Sequence, residues 1–277
     1  MTTALPIEQR WHAALHLEFS PRGARTVLVR RQHHGPLAVQ KTFYPEGPVS
    51  HCYLLHPPGG IAAGDHLEIH AQVNGGGHAL ITTPAAGKFY RSDGAGSISE
   101  QHFQLGNDSV LEWLPQENII FPGCRARQQT IIDVTGSARC IAWEVTCLGR
   151  PACGEIFSHG VFQQALQVCR DGRPILIERN QFNGASKLMT APWGMAELPV
   201  LGTMIATGGD DAIRDTLRDL LKDQQQSFSV TRCDDLLICR YLGASAQTAY
   251  RGFQQAWGLL RPALLGRNAC IPRIWLT

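Results

Sequence analysis

The chain has 277 residues, 44% of them apolar and 17% charged, with a formal net charge of +2 at pH 7. A chain of this length buries about 75% of its unfolded surface, so a large core is available without disulfide bonds. The near-neutral balance, with no dense block of lysine and arginine, argues against nucleic acid as a partner, and the low charged fraction calls for an uncharged polar surface or one covered by partners.

The amino-terminal stretch MTTALPIEQRWHAALHLEF carries Glu8 and Glu18 and lacks the apolar centre of a signal peptide. No run approaches the roughly 18 apolar residues of a membrane span. A soluble, cytoplasmic protein is the expectation. Nine cysteines is an odd number, and none forms C-x-x-C. Cys147/Cys153 and Cys233/Cys239 have poor spacing for a zinc ribbon, so most cysteines are expected to be buried as small apolar residues in a reducing compartment.

From about residue 11 to 205 the signals are turns: GPL, YPEGP, PPGG, NGGG, DGAG, FPG, VTG and RDGRP recur, with short alternating runs between them. The segment HPPGGIAAGD (56–65) reads as a stiff turn between strands, with Asp65 where the next strand begins. In DHLEIHAQV, Leu67, Ile69, Ala71 and Val73 share one face and His66, Glu68, His70 and Gln72 the other. In RCIAWEVTCLG, Ile141, Trp143, Val145 and Cys147 oppose Cys140, Ala142, Glu144 and Thr146. QALQVCR-DG-RPILIERN is a hairpin, since Asp-Gly supplies the positive φ angles of a type I′ turn.

The last third changes period. DDAIRDTLRDLLKDQQ lines up Ile213, Leu217, Leu220 and Leu221 on one helical stripe, capped by Asp210 or Asp211. SAQTAYRGFQQAWGLLRP does the same with Ala249, Phe253, Trp257 and Leu260, with Ser245 as cap and Pro262 near the stop. SFSVTRCDDLLICRYLG, between them, reads as a pair of strands. The expected fold is mainly β: one domain over 1–277, with a β-rich body over about 11–205 and a helix-containing part over about 206–277. No repeat of fixed period is visible, although β-solenoids conceal theirs.

No motif of a familiar chemistry is complete in the sequence. TPAAGKF fails as a phosphate loop at both ends, with Thr82 and Phe89 where the motif needs glycine and a hydroxyl. His66 and His70, four apart on a strand, lie about 13 Å from each other and cannot share an ion there. No G-x-S-x-G occurs, and Ser92 has no identifiable base. No catalytic residue and no tight metal site are expected.

FYPEG (43–47), YLLHPPGGIAAGD (53–65), TTPAAGKFYRS (82–92), EWLPQENIIFPG (112–123), CLGRPACGEIFSHG (147–160), LIERNQF (176–182) and PRIWLT (272–277), taken together and in order, resemble the UreD/UreH family of urease accessory proteins. The resemblance runs from about Trp11 to Thr277. It implies an elongated β-helical body of many short strands with two helices, and a non-enzymatic scaffold in urease activation. Such a scaffold associates with UreF and, through the complex, with the GTPase UreG. It docks on apo-urease and helps insert nickel, with Ni²⁺ as transient cargo and no tightly bound cofactor. It also implies an internal water-filled tunnel, to which Asp65, Glu144 and Glu178 are matched. Gly87 stands where a small hydroxyl residue is expected before Lys88, and His66 where relatives can carry a second acid. Lys88 and Arg91 are matched to anchoring of a partner or a loop. A metal-dependent hydrolase using Asp65, Glu144 and nearby histidines, and a β scaffold without ion passage, are the alternatives.

Overall fold

Period-two alternation does produce strands, and most of them pair in parallel. The computed structural model describes residues 11–224 and 227–276. Residues 1–10, on which part of the amino-terminal reading rests, and Thr277 of the closing motif lie outside the described residues. Two hairpins come first: β1 (Trp11–Arg22) with β2 (Arg25–His34), and β3 (Ala38–Phe43) with β4 (Ser50–Leu55). There follow β5 (Asp65–Val73), β6 (His78–Thr82), β7 (Gly87–Phe89), β8 (Ser97–Leu105), β9 (Val110–Trp113), β10 (Asn118–Ile120), β11 (Arg125–Val134), β12 (Arg139–Arg150), β13 (Glu155–Ile156), β14 (Val161–Arg170) and β15 (Arg173–Asn183). The carboxyl-terminal part holds α1 (Lys187–Thr190), β16 (Val200–Thr207), α2 (Asp211–Leu220), β17 (Phe228–Cys233), β18 (Leu236–Gly243) and α3 (Ala246–Leu265).

The chain winds between two sheets as a β-solenoid of about 4 turns. One sheet has the order β15-β14-β11-β8-β5-β1-β2, the other β17-β18-β16-β12-β9-β6-β4-β3. The interior strands of each are parallel, and antiparallel partners close every edge: β2 and β15 in the first, β3 and the β16–β18 group in the second. A solenoid leaves a strand edge open at each end, and these hairpins cover it. The Asp171-Gly172 turn has φ of 49° and 77°, as the hairpin sequence requires.

The repeat hidden in the sequence lies at a corner. Ile61, Phe89, Ile120 and Leu148 sit in register on successive turns, about 30 residues apart, and all are buried. Each belongs to one of the motifs GGIAAGD, GKFYRS, NIIFPG and CLGRP, which occupy equivalent corners of the solenoid. HPPGGIAAGD is the first of these corners. Gly59 and Gly64 have positive φ, and a Cβ on Gly60 would lie 2.2 Å from the ring of Tyr90.

Two cores result. One fills the space between the sheets, with Leu15, Phe19, Phe103 and Ile132 among its members. The other lies between the outer face of the second sheet and the helices, around Trp143, Phe253 and Trp257. The parity of β12 divides it between them, with Trp143 and Val145 facing α3 and Cys140 and Ala142 facing inward. Asp210 and Ser245 cap α2 and α3 through their side-chain oxygens, as expected. Pro262 stands near the stop as expected, inside α3, which continues to Leu265 and ends on Gly266 at φ 65°. Two details differ. Leu220 is 41% exposed, because α2 stops there and Leu221 turns under its last turn instead. The β-rich region also holds a short helix, the four-residue α1, after its last hairpin. Six of the nine cysteines are buried and all are free. No helix among the described residues is long and apolar enough to cross a membrane.

Candidate functional site

Polar side chains interrupt the inner face of the first sheet along two adjacent rows. Cross-strand register places Ser99, Gln128, Gln164 and Asn180 in one row and Gln101, Thr130, Leu166 and Glu178 in the next. These residues alternate in phase with apolar ones (Gln128 and Thr130 with Ile132 and Val134), so their strands carry them into the core. Because the strands lie across the solenoid axis, the rows run along it. Facing them from the second sheet are Glu144 and Thr146 of β12 and Thr203 of β16, which pairs with Glu144.

Glu144 is the centre of this seam and is 5% exposed. Its carboxyl receives Gln128 Nε2 at 3.2 Å and Gln164 Nε2 at 2.9 Å, and it touches the Thr130 hydroxyl. That hydroxyl also lies 3.0 Å from Gln101 Oε1, and Gln101 Nε2 donates to Ser99. One hydroxyl proton cannot serve two acceptors. A protonated Glu144 donating to Thr130, which donates on to Gln101, satisfies the row. The electrostatics agree. Burial pushes the Glu144 carboxyl up, the amide and hydroxyl contacts offset this in part, and the nearby Glu178 charge adds to the rise, leaving it at about 7.

Glu178 lies farther along on β15. It accepts from Thr203 Oγ1 at 2.9 Å and from Arg240 Nη2 at 2.8 Å. A cavity of about 530 Å³ opens there, lined by Glu178, Asn180, Thr203 and Arg240. Toward the amino-terminal turns the seam meets a second cavity of about 430 Å³, lined by Gln101, Gln128, Asn118, Lys88 and His56. The structure therefore joins Glu144 and Glu178 in one polar file with a cavity toward each end.

Asp65 stands apart from that file. It is 7% exposed, and its Oδ2 accepts the Ala62 amide at 2.8 Å, closing the corner turn. It lines an open depression together with Trp11, Arg91 and Ser92. Lys88 borders the inner cavity, whereas Arg91 borders surface depressions on both sides. The two departures noted in the sequence resolve differently. A Cβ on Gly87 would lie 2.2 Å from Asn118 Oδ1, so the side chain of Asn118 fills the space of the missing hydroxyl residue and donates to Gln128 at 2.9 Å. His66 points outward, opposite to Asp65, and does not touch the seam. Asp65 and Glu144 do not converge as a hydrolytic pair, and His12, His16, His70 and His102 lie with His66 on the outer face of the first sheet.

A separate buried network ties α3 to the second sheet. Glu112 and Arg261 are both fully buried. Glu112 receives His78 at 2.7 Å, Trp257 Nε1 at 2.6 Å and Arg261 Nε at 3.0 Å. Arg261 continues to Glu46 at 2.6 Å, which also holds His51 at 2.7 Å. Burial alone would raise the Glu46 pKa, but the His51 and Arg261 hydrogen bonds outweigh it and bring it down to about 2. Trp275 of the closing motif donates to Thr82 at 2.9 Å. Conspicuous motif residues thus build scaffold. The seam residues Gln128, Thr130, Gln164 and Thr203 escaped the sequence reading, and their one signal was polar residues in phase with an apolar face.

A family model described as UreD urease accessory protein matches residues 12–276. The urease accessory protein UreD of Dechloromonas aromatica is 46% identical over 288 residues, covering 100% of both chains. That of Marinobacter nauticus is 46% identical over 281 residues, covering 98% of this chain and 94% of its own. That of Klebsiella aerogenes is 43% identical over 272 residues, covering 98% and 99%.

Proposed function

Because the chain belongs to the UreD family of urease accessory proteins, we propose that it is a scaffold that joins UreF and the GTPase UreG, docks on apo-urease, and gives Ni²⁺ a path along its interior seam. The observation that carries this reading is a file of buried polar groups centred on Glu144, in a position where an apolar core would be more stable. A carboxyl titrating near 7 suits transient cargo. Its protonated form tolerates burial when no cation is near, and an arriving divalent ion displaces that proton to water as it takes the carboxylate as ligand. Gln128 and Gln164 assist, since an amide can turn its oxygen toward a cation without a change in volume. Such oxygen donors bind nickel weakly enough to let it go. Asp65, which stands apart from the file and closes a corner turn, has no part in the path, and Lys88 and Arg91 anchor a partner or a loop.

The test is urease activation by the complex carrying Glu144→Gln or Glu178→Gln, beside a pull-down with UreF. Activation is expected to fall about tenfold or more while UreF is retained. Unchanged activation with an intact complex overturns the path. One observation favours a second reading, a β scaffold that acts on apo-urease mechanically. The guanidinium of Arg240 already occupies Glu178, a cation where nickel would have to pass. That reading predicts full activation by both variants.

A further inference from the structure

The outer face of the seven-stranded sheet carries an arrangement that the interior seam does not explain. His12 of β1 and His66 of β5 are direct cross-strand partners, and Glu68 follows two residues later on the same face of β5. Glu68 Oε1 is 3.4 Å from His12 Nε2 and 3.2 Å from His66 Nε2, and all three ligand atoms lie within 4.8 Å of one another. Two donors about 2.1 Å from one metal ion stand about 3.0–3.4 Å apart in octahedral or tetrahedral geometry. Two edges of the triangle already have that length. The spacing is fixed by parallel strand register and needs no loop to move.

A second feature points the same way. Glu100 of β8 lies directly across from Glu68, and like charges facing each other on neighbouring strands are unfavourable. Arg127 neutralises one Glu100 oxygen at 2.8 Å, while the other lies 3.1 Å from His66 Nε2. The site keeps an excess negative charge, with a fourth donor at its rim. The ligand side chains are part-exposed, at 37% for His12, 19% for His66 and 26% for Glu68, so an ion can enter from solvent. The other triad of this kind among the described residues, Glu46, His51 and Cys270, is a poor cation site because Arg261 holds both Glu46 oxygens.

We propose that His12, His66 and Glu68, with Glu100 beside them, bind a divalent transition-metal ion of borderline softness, such as Ni²⁺ or Zn²⁺, on the outer face of the sheet. Two imidazoles and one carboxylate suit these ions and not Mg²⁺, which prefers oxygen alone. The site stands independently of the interior path.

The test is calorimetric titration of NiCl₂ and of ZnCl₂ into the full chain, purified without a polyhistidine tag. Wild type is expected to bind one equivalent that MgCl₂ in excess does not displace. His12→Gln and His66→Gln should each weaken that equivalent at least tenfold, with thermal unfolding unchanged. His16→Gln and Glu144→Gln, outside the triad and in the seam respectively, should retain it. Absence of the equivalent in wild type overturns the proposal, and so does full retention in either the His12 or the His66 variant. Because the readout is binding and not urease activation, failure of the interior path leaves this result standing, and the reverse holds too.

Discussion

Glu144 shows what a single buried carboxyl does to pH dependence. Its folded-state pKa, about 7, lies above the ordinary 4.5, so the folded state holds the proton more tightly than the unfolded chain. Its favourable contribution is complete below about 4.5 and is lost as pH rises through 7. Glu144→Gln should therefore flatten the stability profile between pH 5 and 8. At pH 8 the variant should be more stable than wild type by about 1–3 kcal/mol, read from denaturant melts at each pH. A variant more stable yet inactive in urease maturation would separate function from folding at one atom pair. Glu46 has the opposite sign. Its pKa is depressed to about 2, so its contribution is present above 4.5 and disappears as pH falls toward 2.

At the scale of one element, α3 offers a contrast within twenty residues. A Cβ on Gly252 would lie 2.1 Å from Phe228 Cζ, in the core between helix and sheet, whereas one on Gly258 would meet nothing within 4 Å. Helix propensity alone favours alanine at both by about 1 kcal/mol. Gly258→Ala should raise the melting temperature, while Gly252→Ala should lower it, the overpacking costing about 1–3 kcal/mol. Arg261 is the helix's polar attachment. Arg261→Ala leaves the buried Glu112 and the part-buried Glu46 without their guanidinium and should destabilise by about 3–5 kcal/mol, measured by chemical denaturation.

For the whole molecule, turns that contact mainly their neighbours predict graded protection from hydrogen exchange. The slowest amides should be those of β8, β9, β11 and β12, which are flanked by strands on both sides. The edge strands β2, β3 and β17 should exchange faster, and uniform protection across both sets would contradict a solenoid of separable turns.

Much of this was legible in the residues. The parity of DHLEIHAQV, the Asp171-Gly172 hairpin and the caps at Asp210 and Ser245 follow from local stereochemistry, which acts over a few residues and leaves its mark in the sequence. Four of the seven motifs that marked the family left their mark for the same reason, since GGIAAGD, GKFYRS, NIIFPG and CLGRP each carry the turn chemistry of a solenoid corner. What the linear pattern could not carry is which buried polar residues meet. Glu144 reaches Gln128, Thr130 and Gln164 only because β11, β12 and β14 stack across the solenoid, and His12 reaches His66 only because β1 pairs in parallel with β5. Register between distant strands is set by the packing of whole faces, and so the alternation told which side each residue takes, while the fold alone chose its neighbours.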